Sequence, residues 1–95
     1  MTVHWASIEF NYDKINKLKG GFVYAFVNAS NSKTALDRIL QKLKQENITS
    51  VNVEFIKEYN PMTEWDNSIQ TKHYKELYSL ALNSLEVILD DFYAY

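Results

Sequence analysis

The spacing of apolar and polar residues predicts a β-strand near the start of the chain. Residues 5–12 alternate with the two-residue period of a strand, because apolar side chains at 6, 8, 10 and 12 are interleaved with polar ones at 7, 9 and 11. Trp5 falls on the same side as Ser7 and Glu9. We therefore expect one apolar face and one mostly polar face that carries a tryptophan.

Two further strands are predicted at 22–29 and 50–59. The first has large aromatic side chains at 22, 24 and 26 and small apolar ones at 23, 25 and 27. Both of its faces are apolar, so it should be a central strand that is covered on each side. The second alternates again, and it should end at Pro61, since proline has no N–H to donate to a sheet.

A helix is predicted between these two strands, from the possible N-caps at 30–32 to about Glu46. Leu36, Ile39, Leu40 and Leu43 recur at the spacing of a single helical stripe. Asn47 can adopt the left-handed conformation that ends a helix.

The last third of the chain allows two interpretations. A second helix begins at Ser68 or Thr71, and the apolar positions from 74 to 92 fit one long helix to the end. Against this, the acidic residues at 86, 90 and 91 would stand at a helix C-terminus, where negative charge is unfavourable. We therefore predict a break at Asn83 and Ser84 and a fourth strand over 86–94, in which Asp90 and Asp91 solvate or end an edge.

These elements give the order β-β-α-β-α-β within a single α+β domain, 1–95. The expected architecture is a two-layer sandwich, with two helices on one face of a four-stranded, mostly antiparallel or mixed sheet. The alternative is ββαβα with one long C-terminal helix.

Composition and charge exclude several classes of function. A net charge of −2 with one arginine, Arg38, argues against nucleic-acid binding. No cysteine is present, so thiol chemistry and thiolate metal sites are absent. The start of the chain has no signal-peptide pattern and no apolar run could span a bilayer, so we expect a cytoplasmic protein without a membrane partner.

The chain resembles small uncharacterised α+β proteins of bacteria. The features that carry this resemblance are the tail from Asp90 to Tyr95 and the loop that starts at Tyr59, Asn60 and Pro61. In its parts and layering the predicted fold is also similar to the ferredoxin-like group, although the order of strands and helices differs from the βαββαβ plait. The resemblance assigns no residue roles.

Candidate catalytic chemistry is limited to the two histidines, His4 and His73. Histidine is the usual general base near neutral pH, but nothing in the spacing pairs these two. His73 lies on a polar arc of the second helix and is expected to be solvated. Three or four converging ligands would be needed for a metal, so we predict no metal, no cofactor and no catalytic residue.

The aromatic residues point to a binding function instead. Aromatic residues make up 15% of the chain, and those outside the regular strand and helix pattern concentrate at Trp5, Trp65, Phe92, Tyr93 and Tyr95. We interpret them as partner-binding residues, although for Trp65 a plug at the end of the core is favoured over an anchor for a partner. The main hypothesis is a non-enzymatic protein-binding module that acts as a homodimer or binds another protein. The alternative is a small cofactor-free enzyme or ligand binder with an aromatic cleft and His4 or His73 as general base.

Overall fold

The computed structural model has two helices and a single sheet. It describes residues 2–11, 20–48, 50–62, 68–84, 86–91 and 93–94. The elements in chain order are β1 (Thr2–Asn11), β2 (Gly21–Ala29), α1 (Ser32–Gln45), β3 (Ser50–Glu58), α2 (Ser68–Leu82), β4 (Ile88–Leu89) and β5 (Tyr93–Ala94). Within these residues, no helix is both long enough and apolar enough to cross a lipid bilayer.

The sheet is antiparallel and has four rows. β1 lies between β3 and β2, and the outer side of β2 pairs with both β4 and β5. The two short strands therefore form one interrupted fourth row. This arrangement confirms the predicted α+β class, and the alternative of one long C-terminal helix is wrong because α2 ends at Leu82.

The fourth row is interrupted by a bulge. Leu89 pairs with Ala25 and Tyr93 pairs with Phe22, so the edge row contains one more residue than β2 between these two pairs. Asp90 lies in this bulge, where its N–H donates to the carbonyl of Tyr24 over 2.9 Å. A bulge re-aims a side chain from the regular alternation.

The two helices pack on opposite faces of the sheet, so the prediction that both cover one face is wrong. α1 packs through Ala35, Ile39 and Leu43 on a mostly aliphatic face, whose sheet residues are Ala6, Ile8, Phe10, Val23, Ala25, Val27 and Ala29. α2 packs through Tyr74, Leu77 and Ala81 on the opposite face, which contains Val3, Trp5 and Phe26. The layering expected from the ferredoxin-like resemblance is therefore not the one observed.

The central position of β2 explains why one helix covers each face. Val23, Ala25 and Val27 are fully buried on one face, and Phe26 is fully buried on the opposite face. A strand that is apolar on both sides must be covered on both sides, because exposed apolar area is unfavourable in water.

Both ends of α1 are capped by residues that the sequence predicts as caps. The Asn31 side chain accepts a hydrogen bond from the Thr34 N–H at 2.8 Å, which satisfies one of the free donors of the first turn. Asn47 has φ of 65°, and the Ile48 N–H returns to the Leu43 carbonyl. Together these contacts close the helix with a left-handed residue and direct the chain into β3.

Candidate functional site

Trp5 lies beneath α2 rather than on an open face. Its side chain is 7% exposed, and its ring contacts Phe26, Phe55 and Tyr59 at centroid distances between 4.9 and 5.9 Å. The Lys57 ammonium lies 5.7 Å from the indole centroid. Trp5 thus offers little surface to a partner in this structure.

The other predicted partner-binding residues are described in part or not at all. Trp65, Phe92 and Tyr95 lie outside the described residues, and Tyr93 is described only through its backbone in β5. Their assignment to a partner stays a prediction. The choice between plug and anchor for Trp65 also lies outside the described residues.

The two histidines occupy different environments. His4 is 2% exposed, and its Nδ1 lies 2.9 Å from the Thr2 carbonyl oxygen, so it is a hydrogen-bonded core side chain. His73 is 42% exposed at its side chain, and its Nε2 lies 2.8 Å from Asp90 Oδ1. The structure therefore does not bring the two histidines to a common site.

The His73–Asp90 pair joins α2 to the bulge of the edge row. The Asp90 side chain is only 2% exposed, and Oδ1 also accepts a hydrogen bond from the Asp91 N–H at 2.8 Å. Oδ2 is buried, and it has no hydrogen-bond partner within the described part of the chain. The expectation that Asp90 solvates an edge is wrong, because the bulge turns this carboxylate inward against α2.

A histidine that is held by a buried carboxylate can transfer protons. The carboxylate orients the imidazole, while the other ring nitrogen stays available. No hydrogen bond of His73 Nδ1 occurs among the described residues. Sequence reasoning missed this pair because the two residues lie on different elements, and only the bulge directs Asp90 toward His73.

A wide groove runs along the outer side of α2 toward β4. It has a volume of about 950 Å³ and is open to solvent. Its described lining is Ser68, Thr71, Lys72, Lys75, Glu76, Ser79, Leu80, Asn83, Ser84 and Ile88. Neither histidine contributes to this lining, so the groove and the His73–Asp90 pair are separate features.

The described residues do not form a metal site. No group of three or more His, Cys, Asp or Glu side chains converges among them. The His73–Asp90 pair alone supplies too few ligands for the usual zinc or iron geometries.

No protein-family model, curated protein or solved structure matches the chain.

Proposed function

We propose that the chain is a non-enzymatic protein-interaction module that acts in the cytoplasm as a homodimer. The observation that carries this proposal is the position of the exposed hydrophobic side chains. Within the described residues, the large hydrophobic side chains that stay exposed are Met62, Ile69, Leu80 and Leu82, and all but the first belong to α2. Exposed apolar groups that cluster on one element are typical of an interaction surface.

The outer side of α2 can pair with itself. Ile69 and Leu80 are eleven residues apart, about three helical turns, so they lie on one line along the helix. Lys72 and Glu76 lie between them on the same stripe. We name this stripe of Ile69, Lys72, Glu76 and Leu80 the α2 outer stripe.

An antiparallel pairing of two α2 helices would bury the apolar residues and pair the charged residues of the α2 outer stripe in both protomers. If Ile69 lies opposite Leu80 of the partner subunit, Lys72 comes close to the partner's Glu76, since both pairs have nearly the same midpoint along the helix. A two-fold axis repeats each contact. Apolar contacts at the ends and opposite charges in the middle make the stripe complementary to itself.

Sedimentation velocity at micromolar concentrations tests this proposal. We expect the wild-type chain to sediment at twice the monomer mass of 11.2 kDa. Leu80→Glu should shift it to the monomer, because an unpaired carboxylate would be buried in the contact. Gln41→Glu adds the same charge to an exposed site on α1 and should leave the dimer intact.

A monomer across the whole concentration range contradicts the proposal. An equal loss of dimer in Leu80→Glu and Gln41→Glu also contradicts it, because the effect would then come from net charge. Circular dichroism of each variant checks that the helix content of the chain is unchanged.

The His73–Asp90 pair favours a second candidate function, a small cofactor-free enzyme with His73 as general base. The half-exposed imidazole and the buried carboxylate are the supporting observations. An aromatic cleft is not the support, because the rings around Trp5 pack against one another beneath α2.

Hydrolysis of p-nitrophenyl acetate tests this second candidate. If His73 acts as a base, His73→Gln should lower the second-order rate by about a hundredfold, the range of general-base contributions. His4→Gln is the control for the loss of a histidine, because it removes the buried one instead of His73. Equal rates for wild type and His73→Gln rule this candidate out.

A further inference from the structure

The outer edge of β3 presents backbone groups for pairing. β3 forms one edge of the sheet, and β1 is its only neighbour among the described strands. It is nine residues long, whereas β4 and β5 at the opposite edge have two residues each. A long edge strand is a template on which another strand can add.

A bulge divides this edge into two halves. Phe55 pairs with Ser7 and Val53 pairs with Ile8, so Glu54 is an extra residue between two regular segments. The Ser7 hydroxyl donates to the Glu54 carboxylate over 3.2 Å. The first half, residues 50–53, is regular and carries no charge, so an added strand of about four residues would meet an undistorted edge there.

A small apolar groove lies next to the first half of β3. Its volume is about 350 Å³, and Leu40, Lys44, Ile48 and Val51 line it. Leu40 and Lys44 lie in the C-terminal half of α1, and Val51 belongs to the edge strand itself. An open strand edge is thus combined with a side-chain groove beside a helix.

We propose that this edge and groove form a strand-addition site for a short extended segment of a partner protein. Backbone hydrogen bonds to residues 50–53 would hold the segment, as in other cases of strand addition. One apolar side chain would enter the groove between Leu40 and Val51. An acidic side chain beside it would contact Lys44, which makes no ion pair within the described residues.

A second copy of β3 fits the full length of this edge poorly. Glu54 is the midpoint of Ser50–Glu58, so full antiparallel pairing of two copies places the two Glu54 residues opposite each other. Like charges directly opposite one another destabilise strand pairs, and both bulges would also coincide. This site is separate from the α2 outer stripe, so it goes beyond the proposed homodimer.

NMR titration with a synthetic peptide tests the proposal. The probe is a seven-residue peptide of alternating valine and threonine with one aspartate and blocked ends. We expect saturable shifts of the backbone amides over 50–53 and at Lys44, with slower amide exchange along the edge. A peptide with proline at its centre should not bind, because proline removes the donor and distorts the strand.

Matched variants separate the groove from general charge effects. Lys44→Glu should weaken binding about fivefold, and Leu40→Ser about tenfold, which corresponds to about 1.4 kcal/mol. Lys33→Glu makes the same charge change at an exposed position in the first turn of α1 and should bind like the wild type.

Three results would overturn the strand-addition site. They are the absence of shifts at millimolar peptide, shifts confined to α2, and equal weakening in Lys44→Glu and Lys33→Glu. A fourth result, slower exchange of the edge amides as the protein concentration rises without peptide, would also overturn the proposal, because a second copy would then occupy the site. All titrations are repeated in Leu80→Glu, so a failure here is distinguishable from a failure of the α2 dimer.

Discussion

Asp90 is a buried carboxylate that connects the edge row of the sheet to α2. Its Oδ1 accepts hydrogen bonds from the His73 ring and from the Asp91 N–H, both at 2.8 Å. Taking a carboxylate out of water is costly unless such bonds compensate for the lost hydration. The pair should therefore stabilise the packing of α2 on the interrupted fourth row.

Removing the imidazole should destabilise the fold. In His73→Ala the Asp90 carboxylate loses its side-chain partner, and we expect the free energy of unfolding to fall by about 2 kcal/mol, below the range for fully buried pairs because His73 is half-exposed. Urea denaturation measures this value. Gln41→Ala, at an exposed position on α1, serves as the control and should change it by less than about 0.5 kcal/mol.

A smaller loss in the double variant His73→Ala with Asp90→Asn would support this account, because the amide removes the uncompensated charge. If His73→Ala unfolds at the same urea concentration as the control, the pair does not stabilise the fold.

Single-residue environments were only partly predictable from the sequence. Alternation placed Trp5 correctly on the side of Ser7, yet it could not show that α2 covers this side. The sequence predicts that Asp90 solvates or ends an edge, because neighbouring residues of a regular strand point to opposite faces and Asp90 and Asp91 would not act as a pair. The bulge that turns Asp90 inward depends on pairing with β2, which is remote in sequence.

The helices and strands depend mainly on local signals, and most of them were predictable. β1, β2, α1, β3 and α2 appear close to the predicted positions, because each carries its own periodicity and end signals. Local signals do not determine the face of the sheet on which each helix packs. The two apolar sides of β2 already required a cover on each face, and that signal should have favoured one helix per face.

The N-cap of α1 allows a direct test of how much a local contact contributes to the free energy of unfolding. Asn31→Ala removes the acceptor for the Thr34 N–H, and the free energy of unfolding should fall by about 1 kcal/mol. Asn31→Ser keeps an acceptor and should recover most of this loss. Thermal denaturation that shows no difference between the two variants would exclude a capping role.

The whole molecule separates an aliphatic half from an aromatic half. α1 packs on mostly aliphatic side chains, whereas α2 packs on the rings around Trp5. Much of the aromatic content therefore serves as core beneath α2. Candidate interaction surfaces lie elsewhere, on the outer stripe of α2 and at the β3 edge, where sequence alone could not distinguish exposed from buried positions.

The antiparallel pairing of α2 with a second copy is the central feature of the proposed function. The most direct measurement is sedimentation velocity of two charge-reversal variants, Lys72→Glu and Glu76→Lys, first alone and then mixed. Each variant alone places like charges opposite each other and should be a monomer, whereas the mixture restores both opposite-charge contacts and should form a heterodimer. Dimers of each variant alone, or a mixture that stays monomeric, would contradict the proposed pairing.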